Sequence, residues 1–174
     1  QCAPDLHHIN TQDAIQFCTL RRSNFLNSGL SKLPQSPIND NSSECQHLPD
    51  NYILVALQTP RDYVITQHSP FSVCHFVKTI SEWASSKGQN IVIKPHPAYD
   101  ENNTLDFEIV STIRACAQAS PHVHCLRTNI HRLIDKSQGV FVINSGVGFE
   151  SLIHGKAVVT FGACDYKWAT FAGT

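Results

Sequence analysis

The feature that most constrains this chain is an alternation between short unbroken apolar runs and longer stretches whose apolar residues recur at helical spacing. Tyr52 to Leu57 is entirely apolar, as is Ile91 to Ile93 ahead of Lys94, and Gly139 to Ile143 and Ala157 to Phe161 read the same way. Val123 to Leu126 is a weaker fifth run. Runs this short and this uniformly apolar fit strands buried on both faces. Between them lie helical patterns. Val73, Phe76, Val77, Ile80, Trp83 and Ala84 follow a Ser69-Pro70 start signal and precede Gly88. Thr104 to Ala119 carries Asp106 and Glu108 in its first turn, Asn129 to Lys136 is shorter, and Val147 to His154 stops at Gly155. Strand and helix in alternation predict an α/β fold: a Rossmann-like parallel sheet with right-handed crossovers and helices on both faces.

The 174 residues suffice for one well-buried domain. With no methionine and an abrupt end at Phe171-Ala172-Gly173-Thr174, the chain reads as a piece of a longer protein. Residues 1–50 read as a separate region. Asp13 to Leu30 carries one loosely periodic helix, and Ser31 to Ser43 is a Pro/Ser/Asn-rich stretch read as a flexible linker. The domain proper is expected over 51–174.

Charge narrows the function. A net charge of −1 and a 16% charged fraction lack the basic footprint of a nucleic-acid binder. The seven cysteines form no Cys-x-x-Cys pair, which argues against a zinc ribbon or thioredoxin-like site, and Cys74, Cys116 and Cys164, in apolar stretches, read as small buried side chains in a reducing compartment. The ten histidines show neither the His-x-x-x-His spacing nor the neighbouring carboxylates of a zinc enzyme, and read as surface or locally bonded. No apolar run approaches the roughly 20 residues of a membrane span, and no signal peptide is visible. A cytoplasmic domain without metal or cofactor is the expectation.

Ligands of such sheets sit outside the carboxyl ends of the strands. The least ordinary residues fall in those places, in four loops expected to converge on one ligand, one of them Gly162-Ala-Cys-Asp-Tyr166 after the run Ala157 to Phe161. Asn144-Ser145-Gly146-Val147-Gly148-Phe149-Glu150 ends the fourth run: two glycines permit close backbone approach, and the helix that starts there aims its N–H groups at a phosphate. Glu150, one turn in, either accepts from ribose hydroxyls or serves the helix dipole. Lys94-Pro95-His96-Pro97 ends the second run, with an imidazole clamped between prolines that can donate to a phosphate or protonate a leaving group. Gln58-Thr-Pro-Arg61-Asp62 ends the first. Its carboxylate is a candidate nucleophile or base, and Arg61 pairs either with an anionic substrate or with Asp62.

Ile91 to Pro97, then Val142 to Leu152, then Gly155 to Gly162 together resemble the bacterial capsule polysaccharide synthesis family, which includes retaining β-Kdo transferases that use CMP-Kdo. The resemblance covers roughly residues 50–168. It implies the donor-nucleotide half of a GT-B-like glycosyltransferase. It also implies transfer of Kdo from CMP-Kdo to a growing polysaccharide or glycolipid acceptor, with peripheral association at the inner membrane through other regions. On this pattern Asp62 is the catalytic carboxylate and His96 a catalytic ligand of the CMP phosphate. Ser145 and the amides near Gly146 bind the same phosphate, and Glu150 lies near the ribose. Gln58, Arg61, Lys94, Asn144 and Gly148 complete the candidate nucleotide-sugar site. Two alternatives stand beside this one: a non-catalytic nucleotide-binding module in an envelope-assembly complex, or a transferase of another CMP- or CDP-activated group such as sialic acid or a polyol phosphate.

Overall fold

A computed structural model of the chain describes Asp5, residues 7–37, Gln46 and residues 48–173. Its centre is a six-stranded sheet in which every neighbouring pair is parallel, in the order β3-β2-β1-β4-β5-β6. The strands are β1 (Ile53–Ala56), β2 (Ile91–Lys94), β3 (Val123–Cys125), β4 (Gly139–Val142), β5 (Ala157–Thr160) and β6 (Phe171–Ala172). The order reverses between β1 and β4, the switch point at which doubly wound sheets bind ligands.

The strand residues alternate between two cores, as the two-residue period of a strand requires. Val55, Ile91 and Ile93 pack with one helix layer, α3 (Val73–Lys87) and α4 (Thr104–Ala119), through Phe76, Val77, Ile80, Ile109 and Ile113. Leu54, Ala56, Val92 and Val140 turn to the other face and meet α5 (Ile130–Lys136) through Ile130, Leu133 and Ile134. Both faces are covered, so the strands carry apolar residues on both sides and read as unbroken runs.

Three local readings of the sequence differ from the structure. The helix over 73–87 is capped by Ser72, whose hydroxyl accepts from the His75 amide, and not by Ser69-Pro70. Ser69 instead closes a short helix that hydropathy does not reveal, α2 (Tyr63–His68), and its Oγ accepts from the Phe71 amide. The last strand, β6, is two exposed residues long and pairs with Val159 and Thr160; so short a segment carries no periodic signal.

The stretch read as a linker is the largest difference. The first helix, α1 (Thr11–Ser28), buries no residue of its own, yet Phe25 stacks on His131 with ring centroids 4.4 Å apart. Beyond Gly29 the chain lies along the sheet domain as far as Pro37. The Asn129 side-chain amide donates to the carbonyls of Gly29 and Ser36 at 3.0 and 2.8 Å, and His131 Nε2 lies 2.7 Å from the Leu30 carbonyl. The remainder of the Pro/Ser/Asn-rich stretch, residues 38–43, lies outside the described residues.

Candidate functional site

Above the β1–β4 switch point lies a crevice of about 300 Å³, walled by the loops after β1, β2 and β4 and by residues 31–35. Gln58, Asp62, Lys94, His96, Ser145, Gly146 and Glu150 all line it. Three of the four strand-end loops read from the sequence converge on this cavity; the fourth, Gly162 to Tyr166 after β5, does not line it, because Tyr166 is buried against Gly148 and residues 163–166 border a separate hollow beside Val64 and His68. Arg61, Asn144 and Gly148 are not among the residues that line the crevice.

Each lining residue is placed by local chemistry. Asp62 is the N-cap of α2, its Oδ1 accepting from the Val64 amide at 3.2 Å. That cap explains why a helix starts here, and it fixes the carboxylate at the crevice rim. Gln58 is buried: its carbonyl accepts from the Tyr99 hydroxyl at 2.7 Å, and its Oε1 accepts from the Asn144 amide at 3.3 Å. The glutamine thereby ties the end of β1 to the end of β4 across the switch point. Lys94 is buried too, and its ammonium donates to the carbonyls of Arg127 and Thr128 at 3.2 and 2.8 Å. Its charge reaches the crevice from a position that also pins the loop after β3.

His96 is half-buried between its two prolines. Nδ1 lies 3.2 Å from the Ala98 backbone N–H, which can only donate. The neutral ring therefore carries its proton on Nε2. Burial holds the imidazole below its usual pKa and Lys94 adds to that, while Asp62 and Asp106 act in the opposite direction. At neutral pH His96 is thus an uncharged N–H donor.

Ser145 is the N-cap of α6 (Gly146–Ile153), with Oγ accepting from the Val147 amide at 3.3 Å. An accepting hydroxyl keeps its own hydrogen for donation. A side-chain carbon added to Gly146 would meet nothing within 4 Å, so the backbone there faces open space. Gly148 plays a different part from the close approach to a ligand read from the sequence. A Cβ on it would lie 2.5 Å from the Tyr166 hydroxyl oxygen, so the residue makes room for a buried tyrosine that donates to the Ser145 carbonyl. Glu150 accepts from Ser31 Oγ through both oxygens, at 2.8 and 3.0 Å.

Arg61 pairs with Asp106 and not with Asp62. Its guanidinium lies 3.1 Å from Asp106, a carboxylate with no exposure that also accepts from the Asp100 amide. Asn144 is likewise structural in part, donating through Nδ2 to the Val64 carbonyl at 2.9 Å and so joining α2 to the end of β4. Sequence reasoning missed the fourth wall, Ser31, Lys32, Leu33 and Gln35, because its polar, proline-containing composition carries no periodicity.

Two histidines, His131 and His154, depart from the surface or locally bonded roles read from the sequence. His131 has no exposure and His154 almost none, and the two rings lie 3.1 Å apart, Nδ1 to Nε2. Among the described residues no three His, Cys, Asp or Glu side chains are grouped to hold a metal ion, and no helix is long and apolar enough to cross a membrane.

Residues 27–172 match the family described as capsule polysaccharide biosynthesis protein. The chain belongs to that family. Protein FixF of Sinorhizobium fredii is 29% identical over 124 residues, a stretch covering 69% of this chain and 28% of that protein. Two solved structures of Thermosulfurimonas dismutans KpsC share the fold. The β-Kdo 2,4 transferase superposes with a TM-score of 0.60 at 18% identity, over 98% of this chain and 52% of that one. The β-Kdo 2,7 transferase gives 0.58 at 19%, over 96% and 48%. This capsule-synthesis chain thus spans about half the length of those structures. Its architecture is the Rossmann-like, doubly wound α/β fold that it shares with those structures.

Proposed function

We propose that this capsule-synthesis chain is the donor-nucleotide half of a glycosyltransferase that carries Kdo from CMP-Kdo to a saccharide acceptor, with retention of configuration. One observation carries the reading: His96, Ser145 and Gly146 line a single crevice at the switch point together with the carboxylates of Asp62 and Glu150. His96 Nε2–H, the Ser145 hydroxyl and the backbone at Gly146 supply donors for the CMP phosphate. Glu150 is the acceptor for ribose hydroxyls. The phosphate charge is met in this reading by these groups and the helix N-terminus, without a metal. As CMP leaves, the His96 Nε2–H stays on the ring and its hydrogen bond strengthens with the charge that builds on the phosphate.

Asp62 supplies the remaining chemistry. A single displacement by the acceptor would invert the anomeric carbon, so retention through displacement needs two. In the first, an Asp62 oxygen bonds to that carbon as the bond to the CMP phosphate oxygen breaks. In the second, an acceptor hydroxyl displaces the carboxylate and gives up its proton to a base. The protein that contains this chain would work on the cytoplasmic side, near the membrane where the polysaccharide grows.

Asp62→Asn tests the reading cleanly, because asparagine caps a helix as well as aspartate does. In the complete protein the variant should fold and bind CMP but transfer no sugar. The native enzyme given CMP-Kdo without acceptor should gain the mass of one Kdo on the peptide containing Asp62. Transfer by the variant, or an adduct elsewhere, removes Asp62 from this role.

A further inference from the structure

We propose that residues 29–37 are a fixed wall of the donor pocket, and that Asn129 is the positioning residue that holds this wall over the ligand. The proposal rests on the reading of the crevice as a CMP site.

Asn129 is fully buried at the start of α5 and has two jobs that separate chemically. Its Oδ1 accepts from the His131 amide at 3.0 Å, an N-cap that aspartate or serine would serve equally. Its Nδ2 has a different task. The two amide hydrogens go to the carbonyls of Gly29 and Ser36, residues 100 and 93 positions away in sequence. Only an amide supplies an acceptor and two donors together.

Further contacts from the same helix start reinforce the grip. His131 Nε2 holds the Leu30 carbonyl at 2.7 Å, and the Ile130 amide donates to Gln35 Oε1 at 3.4 Å. The segment is therefore tied at residues 29, 30, 35 and 36. Between these ties Ser31, Lys32 and Leu33 lean over the crevice, and Ser31 reaches both oxygens of Glu150. Backbone carbonyls are what most of these ties hold, so the hold sets where the segment lies whatever its side chains are. A segment that only linked two regions would need no buried amide holding two of its carbonyls.

Asn129→Asp keeps the cap and turns an oxygen toward two carbonyls, which releases the segment. Three measurements on native and variant chains decide the matter: CMP affinity, thermal midpoint, and the rate of tryptic cleavage after the exposed Lys32. The variant should bind CMP at least about tenfold more weakly, the loss expected when a ligand-facing wall gives up hydrogen-bonded order, and should be cut faster at Lys32. His96→Ala should lose CMP affinity with no change in Lys32 cleavage. In the native chain CMP should slow that cleavage, an arm that needs no variant and stands even if Asn129→Asp fails to fold. Unchanged CMP affinity in a folded Asn129→Asp, or no protection of Lys32 by CMP that demonstrably binds, overturns the wall and leaves the nucleotide site standing. A native chain that binds no CMP overturns both.

Discussion

Arg61 and Asp106 form an ion pair across the base of the loop after β1, with the guanidinium half-exposed and the carboxylate fully enclosed, 3.1 Å apart. Asp106 Oδ1 is buried without a hydrogen-bond partner among the described residues, so Oδ2 bears the contacts to Arg61 and to the Asp100 amide. Arg61→Ala leaves an enclosed carboxylate with less compensation. The half-exposed position of the arginine softens the loss to about 1–2 kcal/mol of unfolding free energy. Urea denaturation should show that loss while CMP affinity stays within about twofold of native. A large drop in affinity with unchanged stability would return Arg61 to the ligand.

Gly148 and Tyr166 make a second checkable pair. Gly148→Ala drives a methyl group into the tyrosine, with the hydroxyl at 2.5 Å and ring carbons at 2.9 and 3.0 Å. Overpacking of this kind costs about 1–3 kcal/mol. Tyr166→Phe alone loses the bond to the Ser145 carbonyl, worth about 1 kcal/mol. The double variant should lose less than the sum, since the atom nearest the new methyl is gone. Strict additivity would mean that the two residues do not meet.

Acid should weaken the fold through the buried histidine pair. The Leu30 carbonyl fixes the His131 proton on Nε2, so His131 Nδ1 accepts from His154 Nε2–H, and His154 Nδ1 is buried with no partner. Burial, and His131 beside it, push His154 down to about 4; Arg22 and Lys156 act the same way and Asp135 opposes them. Burial also lowers His131, against the Leu30 carbonyl and Glu150. A depressed histidine pKa means that the unfolded chain takes up protons first. Stability is therefore full above the ordinary value of 6.5, declines as pH falls below it, and reaches its floor near pH 4. His154→Gln keeps a donor toward His131 and does not titrate, so its stability profile over that window should be flatter. An equally steep profile would place the acid sensitivity elsewhere.

The sheet and its main helices were legible because burial on both faces writes itself into the sequence as unbroken apolar runs such as Tyr52 to Leu57. The strand-end loops were legible for a related reason. Glycine, proline and polar residues interrupt those runs where the chain turns over the switch point, and His96, Ser145 and Asp62 sit there. What stayed hidden depends on contacts between residues far apart. The wall over 31–35 is held by Asn129 and His131, and nothing in Ser31-Lys32-Leu33-Pro34-Gln35 announces a partner about a hundred positions on. The true partner of Arg61, and the tyrosine that makes Gly148 necessary, are likewise tertiary facts.

Calorimetric titration of the chain with CMP, UDP and GDP, for native protein and His96→Ala, tests the central claim most directly. His96 donates to phosphate from Nε2 in this account, and a hydrogen bond to a charged group is worth about 1.5–3 kcal/mol. CMP should bind the native chain with clear preference over UDP and GDP, and His96→Ala should bind it at least about tenfold more weakly at unchanged stability. Equal binding of all three nucleotides, or CMP affinity untouched by His96→Ala, would contradict the assignment of the crevice as a CMP-sugar site.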